Sequence, residues 1–480
     1  MSDLKKNVIY SSILAISNYI FPLIVYPYIS RVLGVTNVGI CGFVDGIIQY
    51  YCNFSMMGIS YLAIREISSK KENKQELSRA FSSLISLNTI STIIVFALLI
   101  LSIFFIPTFH SYTTLLIAGS AKLLFNTFLI EWFYQGMEDF PYITKRTIII
   151  KICYVISVFI FVKASKDYDI YFFLTCLVTI INALVNIIHS RKFVSFSFKG
   201  ITLKPYVKPF IILGLYSLLV TMYTTFNTVF LGFATNDDQV GYYTTAIKVH
   251  NIILALFTAF SSAIMPRISN LLSKGDLEGF KSLYSKSIDI LYSFSFPLMA
   301  VCIIYADQIV HWISGAGYEQ AIPIMRIVLP MIFVVGYEQI VIIQMLTPMK
   351  KDRYILFGSF GGAVICTITN ILIVPHLQGI GSAISWTLSE ITVMTMAQYF
   401  VNRYTGLEFP FRQLMYYLTA TLPIGLILIL LHIWNPLGNF TLFVAGVLGV
   451  IYYCIFDIKI LKKDVMYNLY QKIVLRIKTV

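Results

Sequence analysis

Stretches of about 20 predominantly apolar residues recur from one end of this chain to the other, and this decides most of what it can fold into. A helix of about that length is what crosses the hydrocarbon layer of a bilayer, where every backbone polar group must be satisfied internally. Fourteen candidate spans follow: 7–32, 37–64, 79–106, 112–135, 147–162, 170–188, 209–234, 240–265, 284–314, 321–345, 354–374, 382–401, 414–434 and 440–458. The fifth, sixth and eleventh are short or weakly bounded, so twelve to fourteen spans are expected. Hydrophobic residues make up 58% of the chain and charged ones 12%, against about 25% charged in an ordinary soluble protein. A soluble enzyme, a disordered scaffold and a secreted disulfide framework are excluded. The expected fold class is an all-α polytopic membrane protein.

The charges orient the spans. Most of the 36 Lys and Arg residues fall at Lys5 and Lys6 and in alternate connections: 65–79, 145–151, 191–208, 267–286, 350–353, 403–412 and 459–478. The intervening connections carry only Lys163 and Lys166, with the acids Asp167, Asp169, Asp237, Asp238 and Glu319. The positive-inside rule places the basic set and both termini in the cytoplasm, which requires an even number of spans. The formal charge of +13 is then an inner rim facing anionic lipid, and no nucleic-acid partner is called for. The first span reads as retained, because its apolar core is too long for a cleaved signal and no small-residue cleavage site follows it. The tail at 464–480 has the spacing of an interfacial helix.

Nothing in the chain has the spacing of a catalytic or metal site. The seven cysteines, Cys41, Cys52, Cys153, Cys176, Cys302, Cys366 and Cys454, all lie within candidate spans and form no CxxC pair. The six histidines are scattered, mostly near span ends. No enzyme activity, cofactor or metal is expected.

A repeat organises the spans. Val38-Gly39 opens the second and Val240-Gly241 the eighth, an ungapped offset of 202 residues. The fourth and tenth spans also end in matching polar turns. Six spans separate the partners, so the halves keep the same orientation and are related by an axis along the membrane normal. Paired six-helix lobes around a central cavity form a transporter architecture. The expected lobes are 1–200 and 201–405, with two further spans and a cytoplasmic tail in 406–480.

Charged residues left inside spans mark cavities or partners. The basic ones are Arg31, Lys122, Lys248 and Arg326, and they point to a cationic cavity for an anionic headgroup, with diphosphate the natural fit. Lys122 falls near the midplane, while Lys248 and Asp45 each sit eight residues into their spans, a shared level that makes them an expected pair across the two lobes that could close one gate. Asp45, Glu131 and Glu390 are candidates for gating or ion coupling; interhelical pairing is the plainer role for any of these side chains. Pro22, Pro27, Pro297, Pro330 and Pro423 are expected to interrupt their spans.

Several short runs resemble one family. Pro27-Tyr28-Ile29-Ser30-Arg31-Val32-Leu33-Gly34 with Val38-Gly39 is similar to the first-span signature of the polysaccharide-transport and O-antigen flippases, the Wzx group. Glu131-Trp132-Phe133-Tyr134-Gln135-Gly136 with Tyr142-Ile143-Thr144 resembles their turn after the fourth span. Val240-Gly241-Tyr242-Tyr243, Pro266-Arg267, Gly317-Tyr318 and Gly379-Ile380-Gly381-Ser382-Ala383 match later marks in the same order. The resemblance implies membership of the multidrug/oligosaccharidyl-lipid/polysaccharide exporter superfamily. It also implies an undecaprenyl-diphosphate-linked oligosaccharide as substrate, moved by alternating access across the bacterial inner membrane. Basic cavity residues are implied to matter, which by position are Arg31, Lys122, Lys248 and Arg326. A polysaccharide polymerase and a chain-length regulator are partners implied by the pathway. The rival within the superfamily is a multidrug or cation antiporter, which would favour acids in its cavity. The rival from another class is a membrane polymerase or glycosyltransferase, which would need a sizeable outward loop or an acidic catalytic motif.

Overall fold

The computed structural model describes residues 3–197, 200–434, 444–449 and 451–452, and all regular secondary structure among them is helical. In chain order the helices are α1 (Asp3–Met56), α2 (Ile59–Lys70), α3 (Lys74–Phe105), α4 (Pro107–His110), α5 (Thr113–Asn126), α6 (Glu131–Gly136), α7 (Phe140–Phe161), α8 (Tyr168–Ser190) and α9 (Lys204–Thr224). They continue with α10 (Phe226–Ala234), α11 (Asp237–Ser273), α12 (Leu277–Ile304), α13 (Ala306–Ser314), α14 (Ala321–Val328), α15 (Met331–Gln339), a π-helical segment Ile340–Leu346, α16 (Asp352–Thr405) and α17 (Phe411–Trp434). Among the described residues, nine helical stretches are long and apolar enough to cross a membrane. Chain contacts divide the molecule into two compact units: Met1–Thr244 with Ala363–Trp386, and Thr245–Gly362 with Thr387–Val480.

Local chemistry sets many of the helix ends. The Asn73 side chain accepts from the backbone N–H groups of Gln75 and Glu76 at the start of α3. Asp139 caps α7 through Tyr142 N, and Asp276 caps α12 through Gly279 N. Gly406, at φ 69°, closes α16 in the left-handed conformation.

The first and second expected spans run on as one helix, α1, divided at Gly34 by φ 76° and ψ 171°, which only glycine adopts without strain. The eleventh and twelfth likewise share α16, divided at Gln378. Other expected spans are subdivided. The second ends at Met57 and continues as α2, the fourth breaks at Ile130, and the seventh divides at Thr225. The ninth parts at Tyr305, and the tenth is split between α14, α15 and the π-helical segment. Of the five prolines expected to interrupt spans, only Pro330 marks a helix end; α1, α12 and α17 run through the others. Membrane helices tolerate proline where neighbouring groups re-satisfy the backbone, and the Ser30 hydroxyl donates to Tyr26 O and Pro27 O beside Pro27. The fifth span begins seven residues earlier than expected, so Lys145 and Arg146 are helical. Most of the fourteenth expected span, the tail at 464–480 and Cys454 lie outside the described residues.

The break at Ile130 is informative, because a β-branched residue at φ 37° is strained and needs outside support. Asn186 of α8 provides it, donating from Nδ2 to Leu129 O while its own carbonyl accepts from Tyr134 OH at 2.5 Å. Its Oδ1 accepts from Tyr142 OH at 3.2 Å. Around this turn Trp132, Phe133 and Tyr134 pack with Ile59, Leu62 and Ile67 of α2, Phe81 and Leu84 of α3, and Tyr206 and Phe210 of α9. Asn186→Leu removes two of these side-chain bonds, and we expect it to cost about 1–3 kcal/mol. Thermal unfolding in detergent checks this, and an unchanged midpoint would show that the turn holds itself.

The outer faces carry the lipid boundary. Ile170, Phe173, Leu177, Ile181, Leu184 and Ile188 are exposed along α8 at three- and four-residue spacing. Leu422, Leu426, Leu430 and Ile433 do the same along α17. Such continuous exposed apolar stripes are stable only against hydrocarbon or another apolar surface.

Candidate functional site

The first unit brings the two repeat motifs face to face. A Cβ built on Gly39 would lie 1.8 Å from Asp237 O and 3.0 Å from Gly241 N. One built on Gly241 would lie 2.3 Å from Val35 O. The backbones of α1 and α11 therefore cross in direct contact, which small residues alone permit. Polar bonds tie the same end: Thr36 Oγ1 donates to Asp238 Oδ1 at 2.6 Å, and Tyr112 OH donates to Asp237 Oδ1 at 2.8 Å.

Deeper in this unit α1 and α5 form an ion pair. Lys122 Nζ donates to Asp45 Oδ1 at 2.5 Å. The two side chains are unequally covered: Lys122 is 16% exposed and Asp45 is 49% exposed. Cys52 and Cys176 lie within electrostatic reach of the ammonium. The lysine is thus held behind a half-exposed carboxylate. Two of the expected site residues are brought together here, one from the cationic set and one from the gating set. Arg31, on α1 just before the Gly34 break, is exposed.

Glu131 meets a partner that the charge map had placed in a loop. Arg146 Nη2 donates to Glu131 Oε1 at 2.9 Å and to Thr147 Oγ1 at 3.1 Å. The Arg146 side chain is 4% exposed, and its Nε and Nη1 have no hydrogen-bond partner among the described residues. A buried guanidinium held by one half-exposed carboxylate is sensitive to loss of that carboxylate. We expect Glu131→Ala to destabilise the fold by about 3 kcal/mol and the double change E131L/R146L to recover most of it. Unfolding midpoints of the three proteins check the prediction; a double variant as weak as the single one would refute it. Nearby, Lys151 Nζ donates to Asn18 Oδ1 at 2.5 Å.

In the second unit Lys248 and Arg326 are exposed, and Arg326 Nε donates to Ile303 O at 3.2 Å. Glu390 and Glu338 are both buried carboxyl groups. Arg146 and the glycine crossing are the features that sequence reasoning passed over as functional. The Val-Gly pairs at 38–39 and 240–241 were the available signal for the crossing. Among the described residues no cluster of three or more His, Cys, Asp or Glu side chains could hold a metal ion.

With this geometry in hand, similarity to known proteins becomes decisive. A family described as polysaccharide biosynthesis protein matches residues 4–272, more than half of the chain. The chain belongs to that family. A second family, MatE, matches residues 213–372 of this family member. A candidate O-antigen transporter of Escherichia coli (strain K12) is 25% identical over 408 residues, 83% of this chain and 97% of that protein. Another, of Shigella dysenteriae, is 23% identical over 404 residues, 82% of this chain and 98% of its own. Among solved structures, the lipid II flippase MurJ in an inward closed conformation superposes with a TM-score of 0.74 at 18% identity, covering 94% of this chain and 97% of that one. An inward-facing multidrug-resistance MATE transporter of the MOP superfamily gives 0.63 at 12% identity, covering 80% and 94%. The all-helical multi-span fold and the flippase-family resemblance read from the sequence both agree with these matches.

Proposed function

We propose that this family member is a flippase for undecaprenyl-diphosphate-linked oligosaccharide, such as an O-antigen or capsular repeat unit, working by alternating access in the bacterial inner membrane. The lobes are 1–200 and 201–405, with 406–480 appended and both termini in the cytoplasm. The observation that carries the reading is the Lys122 ammonium, buried in the membrane span yet reachable by displacing the half-exposed Asp45. A diphosphate offers more anionic oxygens than a carboxylate and so competes for that ammonium. Arg31, Lys248 and Arg326 supply further donors for the headgroup. Asp45, Glu131 and Glu390 serve gating or ion coupling. The O-antigen transporter relatives and the MurJ-like fold support this choice of substrate class. No chemical step on the substrate is required, so the protein needs no cofactor. A polysaccharide polymerase and a chain-length regulator are the partners we propose on the same reading.

The test is surface appearance of the lipid-linked glycan in cells lacking the chain and in cells complemented with it. We expect glycan to accumulate on the inner leaflet without the protein and to reach the surface when it is restored. Unchanged surface glycan in the deleted cells would sink the proposal. The MatE match over residues 213–372 favours a second reading, a drug or cation antiporter, and altered drug susceptibility in the same deleted cells would support it.

A further inference from the structure

Lys151 is the twelfth residue of the 22-residue helix α7, about 16 Å along the axis from Phe140 and about 15 Å from Phe161. The seam between α7 and the first half of α1 places it at the same level. The two helices run antiparallel. Near one end Thr144 Oγ1 donates to Tyr10 O at 2.9 Å. Near the other the rings of Tyr28 and Phe159 lie 4.5 Å apart, and Tyr28 OH donates to Val162 O at 2.7 Å. The Lys151–Asn18 bond falls between them. A lysine this far from both ends of its helix cannot bring its ammonium to either interface by snorkelling. The charge map counted Lys151 with the inner rim, because the span starts earlier than its apolar run.

Both members of that bond turn away from lipid. Exposed Ile149, Ile152, Ile156, Phe159 and Ile160 form the apolar stripe of α7, and Lys151 lies roughly 130° round the axis from its centre. Ile9, Ile13, Ile16, Ile20, Leu23 and Ile24 form the corresponding stripe of α1, and Asn18 lies roughly 170° from its centre. Asn18 is nevertheless exposed, and Lys151 is half-buried. Polar side chains left open in the first unit, on the side away from the lipid stripes, line a hydrated space.

What they present there is all donor. The ammonium uses one of its N–H groups on Asn18 Oδ1, at 2.5 Å, and keeps the others. No group among the described residues accepts from Asn18 Nδ2. No carboxylate among the described residues lies within ion-pair distance of Lys151. Glu131, at the start of α6, is bonded to Arg146. The Phe21 ring centroid stands 5.7 Å from Nζ and supports the positive charge without neutralising it. Lys122 differs, since Asp45 pairs with it. A charge within a membrane span calls for a charged partner, and here the described residues supply only neutral ones.

We propose that Lys151 and Asn18 form a binding site for an oxyanion of the substrate, either a phosphate of the lipid diphosphate or the carboxylate of an acidic sugar in its glycan. Asn18 Oδ1 aims the ammonium, and the remaining N–H groups of both side chains meet the oxygens of the anion. The site deepens the flippase reading above, on which it rests, and adds a mid-span cation to Lys122. A strap between α1 and α7 is the competing role for this bond.

Equilibrium binding to the purified full chain in lipid nanodiscs, with undecaprenyl diphosphate and glucuronate as separate probes, reads the site directly. We expect Lys151→Met to weaken binding about tenfold or more while the unfolding midpoint stays close to wild type. Loss confined to undecaprenyl diphosphate assigns the anion to the lipid, and loss confined to glucuronate assigns it to the sugar. Loss of both makes the site one for either oxyanion. Asn18→Asp separates binding from strapping, because it gives Lys151 an internal anion: the helices stay joined while the probe is shut out. We expect N18D to bind as weakly as K151M with an unfolding midpoint at or above wild type. Lys151→Arg should retain part of the binding, since the charge is kept. Wild-type protein that binds neither probe overturns the inference, as does K151M that binds both normally. Normal binding by N18D also overturns it, and that measurement decides alone where K151M does not fold. The surface-glycan test reads the flippase proposal separately, since Lys151-dependent binding with no glycan dependence keeps the site and loses that function.

Discussion

Gly39→Ala is expected to reduce glycan export to below a tenth of wild type while leaving the protein folded in the membrane. The methyl group would lie 1.8 Å from Asp237 O, and the obstructing atoms are backbone, so no rotamer change relieves the overlap. The helices must part by roughly 1.5 Å before ordinary contact returns. This contact joins the opening turns of two repeat-related helices at the end that the charge map assigns to the outside, beside the Thr36–Asp238 and Tyr112–Asp237 bonds. A transporter that closes there in one state and opens in another loses the closed state. A penalty of about 3 kcal/mol shifts such an equilibrium roughly 100-fold. Gly241→Ala should act alike, since its methyl group would meet Val35 O at 2.3 Å.

The graded controls make this more than a folding test. At Gly42 the added carbon would meet a rotatable hydroxyl, Thr244 Oγ1, at 3.0 Å, and a partial loss is expected. At Gly425 nothing lies within 4 Å, and export should stay at wild type. With the native cysteines replaced, a cysteine at position 36 should label faster with an impermeant thiol reagent in the Gly39→Ala background. Equal labelling together with normal export would refute the gate.

The sequence reading reached the fold through its coarsest property and missed where tertiary contacts decide. Apolar length alone marks a span, so the α3, α8 and α17 regions were legible from a hydropathy ruler. The internal breaks were not. Met57 and Ile130 take positive φ without being glycine, and at Ile130 the support comes from Asn186, 56 residues away along the chain. Proline misled in the other direction, because the cost of a missing N–H depends on neighbours that the sequence does not name. Arg146 sits beside Lys145 in a basic run, and charge counting assigned both to the rim; only packing reveals that one is buried. Lys122 was recognisable from its depth, yet its partner Asp45 lies 77 residues earlier on a different helix.

Lys122→Ala is expected to bring export to background, and the informative companion is the neutral double change D45N/K122M. Removing the lysine alone leaves Asp45 without its charge partner inside a membrane span, so loss of export in the single variant has two explanations. The double change separates them. If the pair only holds α1 to α5, replacing both charges by neutral groups of similar size is tolerated, because a buried ion pair contributes little net stability. Export would then return. If the ammonium binds the headgroup, the double variant folds normally and still exports nothing. We expect the latter, with Lys122→Arg retaining part of the activity because a guanidinium supplies the charge in a different shape. Asp45→Asn alone should be milder: it leaves the lysine in place, removes the competitor for the anion and tightens substrate retention. Its signature is glycan bound to the purified protein at higher occupancy with slower export, and a D45N variant as inactive as Lys122→Ala would argue that the carboxylate, not the ammonium, carries the function.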